Sequence, residues 1–258
     1  MEHKIHNYYS KFDGKLAIVT GAGSGIGLAT ARQLADFGAT VIGADVSRPR
    51  LEEVEKELGK AFIPVVVDIS AHDGPAKIVA AAKGKNIDIL VNNAGIMDGF
   101  LPLTELDDNT WNKVIAINTT AMMRLCRQVI SGMIKAGHGA IVNISSEASL
   151  RASCAGLAYS VSKHAVNGIT KHIAAIYGKD GIRCNAVAPG AVATNVGGAF
   201  LSELAKERLV PIMGATMNFA GQAQPEELAR LICYLADDLA ASNINGVILP
   251  CDGGWSVM

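Results

Sequence analysis

The sequence has almost no net charge and no long apolar run. Charged residues make up 18% of its 258 residues and the formal net charge is −1, so no basic field is present to hold nucleic acid or an anionic membrane. Apolar runs such as residues 61–67 are much shorter than the roughly 20 residues that a membrane-spanning helix needs. Residues 1–13 are polar and lack the apolar core of a secretory signal. These absences predict a cytoplasmic protein that acts on a small molecule.

Patterns typical of metal sites and disulfide frameworks are also missing. The five cysteines are scattered, odd in number and never arranged as C-x-x-C, which argues against both disulfides and zinc. The six histidines show neither H-x-E nor H-E-x-x-H spacing. We therefore expect no metal, and we expect reduced, mostly buried thiols. The cysteines are Cys126, Cys154, Cys184, Cys233 and Cys251.

The sequence does contain a regular alternation of short β-branched runs with longer stretches of helical period. This alternation is typical of βαβ units that feed a parallel sheet. Seven strands are predicted, at residues 16–20, 40–44, 62–67, 87–91, 140–145, 182–187 and 246–249. No linker, repeat or low-complexity segment interrupts the pattern. We expect a single domain over residues 1–258, in which the irregular stretch 195–224 is a substrate-loop insertion.

A glycine-rich turn follows the first predicted strand and leads directly into a helix. Glycines let backbone amides approach a pyrophosphate, and the helix N-terminus supplies unpaired N–H groups and partial positive charge. The spacing is G-x-x-x-G-x-G and the motif G-x-x-x-x-G-K-[ST] is absent, so nucleotide hydrolysis is disfavoured. Taken alone, the glycines could also form a plain structural turn. The candidate cofactor-binding residues here are Gly21, Ser24, Gly25, Ile26 and Gly27.

Asp45 ends the second predicted strand, where a carboxylate can accept hydrogen bonds from an adenosine ribose. A carboxylate there would also repel a 2′-phosphate. Neither Ser24 nor Val46, the neighbours best placed to meet that phosphate, is basic. The sequence therefore favours NAD(H) over NADP(H), although Arg48 is close enough to keep NADP(H) open.

Two more turns are predicted at the same edge of the sheet. Asp68 and Ile69 follow the third strand, and Asp68 is either a simple turn residue or an acceptor for the adenine amino group. The fourth strand ends in an N-N-A-G turn whose small, polar residues suit a backbone that passes close to a cofactor. From this turn Asn92, Ala94 and Gly95 are candidate cofactor-binding residues.

Tyr159 and Lys163 are four residues apart at the start of a predicted helix, so they project from one face. An ordinary tyrosine titrates near ~10 and an ordinary lysine near ~10.4, so proton transfer at neutral pH needs a stabilised phenolate. A nearby ammonium can provide that stabilisation, and we expect Lys163 to lower the pKa of Tyr159. Without further context the pair could be part of a solvated helix surface.

Five motifs in order, T-G-x-x-x-G-I-G, N-N-A-G, I-V-N-I-S-S, Y-x-x-S-K and N-A-V-A-P-G, make the chain resemble a short-chain dehydrogenase/reductase of the short single-domain branch. The resemblance implies an α/β, Rossmann-type doubly wound parallel sheet of seven strands in the order 3-2-1-4-5-6-7. It implies that Tyr159 is the catalytic acid/base and that Lys163 also holds the nicotinamide ribose. It also makes Ser146 the carbonyl-orienting residue and Asn118 the support of a water in the proton relay.

The resemblance further implies a segment that closes over the nicotinamide, with Pro189, Gly190, Val192 and Thr194 as cofactor-binding residues. The implied activity is NAD(H)-dependent interconversion of a secondary alcohol and a ketone, performed by a homotetramer. A 3-oxoacyl-carrier-protein reductase is the alternative enzyme, although that reaction usually uses NADPH and a basic docking surface. A non-catalytic NAD-sensing protein is a remote alternative.

Three segments of the sequence are candidates for contact with the substrate. Met97 and residues 147–154 follow predicted site turns, and the surface is the simplest placement for Glu147 and Arg151. The apolar residues of the insertion could form a lid over a cyclic or acyl-chain ketone, or equally a small satellite core. These residues are Phe200, Leu201, Leu204, Leu209, Ile212, Met213, Met217 and Phe219.

Overall fold

Seven parallel strands form one sheet in the order β3-β2-β1-β4-β5-β6-β7. The computed structural model describes residues 12–194, 201–214 and 221–257. The strands are β1 Leu16–Thr20, β2 Thr40–Asp45, β3 Phe62–Val66, β4 Ile89–Asn92, β5 Gly139–Ile144, β6 Ile182–Pro189 and β7 Ile248–Cys251. This is the doubly wound, Rossmann-type order that the motif pattern implied, so the predicted fold class is confirmed.

Helices cover both faces of the sheet. They are α1 Gly25–Asp36, α2 Arg48–Leu58, α3 Gly74–Ala80, α4 Asp108–Ile115, α5 Met122–Ala136, α6 Leu157–Tyr177, α7 Glu203–Arg208 and α8 Pro225–Ala236. A π-helical segment, Ala116–Ala121, joins α4 to α5. No helix in the described ranges is long and apolar enough to cross a membrane.

Two apolar cores form because successive side chains of a strand point to opposite faces of the sheet. In β1, Val19 packs into the core that contains Leu34 of α1 and Ile232 of α8. Its neighbour Ile18 packs into the other core, with Leu125 of α5 and the helices on that side. Fully burying each such side chain contributes about 1.5–3 kcal/mol. The two cores hold the sheet rigid from both faces.

The carboxyl ends of the strands meet at one edge of this rigid sheet. Strand β2 lies on one side of β1 and β4 lies on the other. The connections that follow β1 and β4 therefore run in opposite directions, and a crevice opens between them. Ligands of open α/β sheets bind at such a point, where the strand order reverses. The turns singled out in the sequence follow strands that end there.

Candidate active site

The turn after β1 is built around glycines that no other residue could replace without strain or collision. Gly21 has φ +68° and Gly25 has φ +53°. Residues other than glycine rarely adopt this left-handed region. A Cβ on Gly27 would lie 2.1 Å from the carbonyl oxygen of Gly21. The side chain of Ser24 does not cap α1. The first backbone N–H groups of α1 are therefore left to bind an anionic group. The turn therefore fits a pyrophosphate.

Asp45, at the end of β2, stabilises this turn through hydrogen bonds. Its Oδ2 accepts a hydrogen bond from the amide of Gly23 at 3.0 Å, and its Oδ1 accepts one from Ser47 at 2.9 Å. The basic residue beside it is Arg50, whose Nη1 donates to the Ser24 hydroxyl at 3.4 Å. From the sequence, Arg48 is the arginine expected near this position. Both arginines are exposed, and Arg50 is turned toward the glycines, since a Cβ on Gly23 would lie 3.0 Å from the Cβ of Arg50.

Asp68 takes the role of a turn residue. Its Oδ1 accepts hydrogen bonds from the backbone amide of Ser70 at 2.8 Å and from the Ser70 hydroxyl at 2.7 Å. Ile69 is partly buried and packs against the core on its side of the sheet. The role of Asp68 toward an adenine stays a prediction.

The N-N-A-G turn after β4 is tied directly to the end of β1. The Thr20 hydroxyl accepts hydrogen bonds from the amides of Asn93 and Ala94, both at 3.0 Å, and the Asn93 side chain donates to the Thr20 carbonyl at 2.9 Å. The side chain of Asn92 points the other way and donates to Asn143 at 2.8 Å, inside the protein. Asn92 can therefore serve a cofactor only through its backbone, and Asn93 is a bracing residue that the sequence reasoning did not single out.

Lys163 is anchored beside Tyr159. Its side chain is 4% exposed, and its Nζ donates to the carbonyl oxygen of Ile144, the last residue of β5, at 2.8 Å. The same Nζ lies 5.4 Å from the centroid of the Tyr159 ring. Burial lowers the pKa of Lys163 to about 8.

The pKa of Tyr159 differs from the expectation. Burial raises it to about 12, and the charge of Asp98 adds to that effect, while a hydrogen bond with the Ser146 side chain acts in the opposite direction. The lowering by Lys163 that the sequence predicts does not offset this burial, and in the structure the Lys163 Nζ donates to the Ile144 carbonyl. The structure therefore presents Tyr159 as a phenol at neutral pH.

Ser146, rather than Ser145, is the serine that meets Tyr159. The Ser145 hydroxyl is turned inward and forms hydrogen bonds with Asn167 at 2.6 Å and with the Ser149 hydroxyl at 2.9 Å. The Ser149 hydroxyl in turn donates to the Ser146 carbonyl at 2.6 Å. Of the two serines, Ser146 is therefore the one beside Tyr159, and its role toward a substrate carbonyl stays a prediction.

Asn118 lies in the π-helical segment and ties three parts of the site together. Its Oδ1 accepts from the amide of Ile96 at 2.8 Å, and its Nδ2 donates to the Ile96 carbonyl at 2.9 Å and to Ser162 of α6 at 3.0 Å. A Cβ on Gly95 would lie 3.2 Å from Asn118 Oδ1 and 3.6 Å from Lys163 Nζ. Gly95 therefore keeps open the space where these polar atoms converge. Single π turns within helices often occur at functional sites.

Asp98 is a site residue that the sequence reasoning missed. It is 3% exposed, and its Oδ2 accepts a hydrogen bond from the backbone amide of Tyr159 at 2.9 Å. Helix α6 has Gly156 as its N-cap residue, and glycine has no side chain to accept from the first turn, so Asp98 supplies that acceptor. A glycine cap at the start of the helix was the signal that an outside acceptor is needed.

The segment after β6 folds across the glycine turn. β6 ends at Pro189, and a Cβ on Gly190 would lie 3.0 Å from the Cα of Asp252. Val192 forms a parallel bridge with Ala223. The Thr194 methyl group would lie 3.0 Å from a Cβ placed on Gly25. This segment therefore lies over the mouth of the cleft.

Part of the proposed lid is described. Leu201, Leu204, Leu209, Ile212 and Met213 lie in residues 201–214, whereas Phe200, Met217 and Phe219 fall outside the described residues. Within 201–214 only the side chain of Ala205 is buried. Leu201, Leu204, Leu209 and Met213 are partly buried, and the choice between a lid and a satellite core stays a prediction.

The surface placement considered for Glu147 is wrong. Glu147 is 1% exposed, and Asp252 and Arg151 are charged groups that act on it. Arg151 is partly buried and donates to the backbone carbonyl of Ser256. Four cysteines are buried and Cys251 is partly buried, all as free thiols. Among the described residues, no three His, Cys, Asp or Glu side chains are grouped as a metal site would need.

Comparison with known proteins identifies the family. A model of the short chain dehydrogenases matches residues 15–205. The chain belongs to the short-chain dehydrogenase family. It is 40% identical over 257 residues to a short chain dehydrogenase of Rhodocybe pseudopiperita, with 95% of this chain and 100% of the relative covered. It is 37% identical over 252 residues to 3beta-hydroxysteroid dehydrogenase 2 of Eggerthella lenta, with coverage of 94% and 95%.

A solved structure of the same family superposes with a TM-score of 0.83. It is a putative NAD(P)-dependent gluconate 5-dehydrogenase of Beutenbergia cavernae with bound NADP, 34% identical, and 97% of this chain and 100% of that chain are covered. Short-chain dehydrogenases are oxidoreductases that bind a nicotinamide cofactor, and the glycine turn and the open first turn of α1 fit the pyrophosphate of such a group.

Proposed function

We propose that this short-chain dehydrogenase is an NAD(H)-dependent enzyme that interconverts a secondary alcohol and a ketone, with Tyr159 as the acid/base. The observation that carries this proposal is the convergence of one phenol, one serine hydroxyl and one buried ammonium at a single point. Tyr159 and Ser146 are hydrogen-bonding neighbours, and Lys163 Nζ lies 5.4 Å from the Tyr159 ring. This is a geometry for transferring a proton to or from an oxygen atom.

Each side chain has a distinct task in this reaction. The hydroxyls of Ser146 and Tyr159 hold the substrate oxygen, and Tyr159 gives its proton to that oxygen in reduction or takes it back in oxidation. The buried charge of Lys163 stabilises the phenolate that remains after the proton has left. Asn118 fixes the backbone at Ile96 and the helix that carries Tyr159. A bound nicotinamide supplies or accepts the hydride.

An apolar substrate with the alcohol on a ring fits the surroundings best. Cys154, Ala155 and Trp255 form a buried cluster, and Met97 and Tyr159 pack against it. Such a surface binds hydrocarbon and leaves the two hydroxyls to fix the orientation of the oxygen. The Eggerthella lenta relative, named as a 3beta-hydroxysteroid dehydrogenase, supports a cyclic secondary alcohol.

NAD(H) is the cofactor that Asp45 favours. Its carboxylate stands at the end of β2 beside the glycine turn, where it would accept from ribose hydroxyls and repel a 2′-phosphate. Arg50 is the observation that favours the alternative, a 3-oxoacyl-carrier-protein reductase that uses NADPH, because its guanidinium reaches Ser24. A side-by-side assay of cyclic ketones and acyl thioesters with each cofactor distinguishes the two activities.

We also propose that the chain acts as a cytoplasmic homotetramer whose protomer is a single domain over residues 1–258. Apolar side chains exposed on the long helices support the assembly, with Ile134 of α5 at 38%, Val161 of α6 at 38% and Ile176 of α6 at 48%. Exposed apolar groups on helix faces are typical of surfaces that become buried on association. Light scattering of the purified protein tests this, and a monomer would reject it.

The role of Tyr159 is tested by Tyr159→Phe. We expect loss of about three orders of magnitude or more in turnover, because the acid/base is removed. NADH binding, measured by fluorescence titration, should stay within about twofold of the wild type. Tyr234→Phe is the matched control, since Tyr234 is 40% exposed on α8. Retained turnover in Tyr159→Phe would reject the proposed mechanism.

A further inference from the structure

Glu147 is buried in a way that the proposed reaction does not explain. It directly follows Ser146, its side chain is 1% exposed, and no donor among the described residues gives a hydrogen bond to either carboxylate oxygen. An ionised carboxyl buried without donors is strongly unfavourable. Glu147 is therefore expected to carry a proton and to need a nearby acceptor for it.

The neighbour is Asp252, the first residue after β7. Its Oδ1 accepts from the amide of Gly254 at 3.0 Å and its Oδ2 accepts from the amide of Ser256 at 2.7 Å. Burial acts to raise the pKa of Asp252, but these hydrogen bonds outweigh it, and the pKa lies below its usual value. Asp252 is thus the ionised member of the pair. Two carboxyls in contact need one proton between them, and Glu147 is the member that carries it.

The contact between Glu147 and Asp252 joins the loop after β5, which carries Ser146, to the turn at residues 252–257. Trp255 in this turn is 5% exposed and packs in the apolar cluster against which Met97 and Tyr159 lie. The turn is held at a second point by Arg151, which donates to the Ser256 carbonyl. The turn that carries Trp255 is therefore held by contacts from the loop that also carries Ser146.

We propose that Glu147 is a positioning residue whose carboxyl shares a proton with Asp252 and thereby holds the Trp255 turn against the substrate pocket. This inference rests on the proposed function, because it assigns the turn to the substrate side of that site. Glu147 does not touch the reacting atoms in this role. It acts through Asp252 and Trp255.

The charges around Glu147 set the direction of its pH dependence. Burial is the largest cause that raises its pKa to about 7, the carboxylate of Asp252 adds to this, and Arg151 acts in the opposite direction. Within the described ranges Cys154 also interacts with Glu147, and the Cys154 thiol stays protonated because burial raises its pKa to about 11. Above about pH 7 Glu147 ionises, the two carboxylates repel each other, and the turn loosens. Substrate binding then weakens while proton transfer by Tyr159 is untouched.

Glu147→Gln is the decisive variant, because its amide stays neutral at every pH and can donate to Asp252. In the wild type, KM for the ketone should rise about three- to tenfold from about pH 6 to about pH 9, with little change in kcat from this cause. Glu147→Gln should show a flat KM over the same range. Glu147→Ala should show the raised KM throughout. Parallel KM profiles for wild type and Glu147→Gln would overturn the proposal.

A second readout does not depend on activity. The chain has two tryptophans, so Trp111→Phe leaves Trp255 as the only one. Its fluorescence should titrate with a midpoint near pH 7 in this background and lose that midpoint with Glu147→Gln or Asp252→Asn. A midpoint in a protein that reduces no ketone would reject the proposed function and keep the carboxyl pair. Ketone reduction without the midpoint would reject the pair.

Discussion

The Nζ of Lys163 donates to the carbonyl oxygen of Ile144 at 2.8 Å, so strand β5 fixes the position of this buried ammonium of helix α6. This contact anchors the charge while leaving the Tyr159 hydroxyl to Ser146. The two titrating groups end up with opposite shifts, because burial lowers the pKa of Lys163 to about 8 and raises that of Tyr159 to about 12. In the proposed reaction Tyr159 therefore starts as a phenol at neutral pH.

The first prediction is a difference in pH dependence between the two directions of the reaction. Tyr159 is a phenol at neutral pH, so ketone reduction has its acid ready, whereas alcohol oxidation must first remove that proton. The rate of oxidation should rise by up to about tenfold per pH unit above neutrality and level off above about pH 8, where Lys163 loses the charge that stabilises the phenolate. The rate of reduction should stay level or fall. Steady-state rates in both directions measure this, and an oxidation rate that falls with pH would contradict it.

The second prediction concerns Asp98, whose carboxylate accepts from the Tyr159 amide and whose charge raises the pKa of the phenol. Asp98→Asn keeps an oxygen acceptor for that amide but removes the charge. The pH profile of oxidation should therefore move to lower pH, with the fold retained. Asp98→Ala removes the acceptor as well and should destabilise the protein by about 1–3 kcal/mol.

The control for Asp98 is Asp107→Asn. Asp107 accepts from the amide of Thr110 at the start of α4 in the same manner, but it is exposed and is not a cause of the Tyr159 pKa shift. Thermal unfolding and the pH profile are measured for all three variants. An unchanged profile in Asp98→Asn would mean that the charge of Asp98 does not reach the phenol.

The third prediction concerns the packing of the glycine turn. Gly27→Ala places a Cβ 2.1 Å from the Gly21 carbonyl oxygen, so the turn must open. We expect NADH affinity to fall at least about tenfold, together with a lower melting temperature. In Gly168→Ala, at an exposed position of α6, an added Cβ meets nothing within 4 Å, and NADH affinity should not change. Equal affinities for the two variants would show that the turn does not hold the cofactor.

Much of the fold could be predicted because the strands and the site motifs are local patterns. The ends of the strands were less certain: β7 begins at Ile248 rather than 246, because Gly246 has φ +81° and cannot continue a strand. Asn118, Ser146, Tyr159 and Lys163 were all named from motifs, and the structure brings them together. Their chemistry depends on burial, which the motifs do not record.

The residues that the sequence did not reveal act over long distances along the chain. Glu147 meets Asp252, and Asp98 meets the amide of Tyr159, 61 residues away. No spacing rule connects such pairs, since only the folded sheet brings the loops together. Arg50 was missed for a different reason. A helix turns through about 200° between positions 48 and 50, so Arg48 and Arg50 point to different sides of α2.

The last prediction is therefore that Arg50, and not Arg48, controls the response to NADP(H). Arg50 reaches the Ser24 hydroxyl beside Asp45, where a 2′-phosphate would lie. Arg50→Ala should lower NADPH affinity about tenfold and leave NADH affinity within about twofold, because only the phosphate needs the guanidinium. Arg48→Ala is the matched control and should change neither. Fluorescence titration measures all four affinities, and a loss of NADPH binding in Arg48→Ala alone would return the role to that residue.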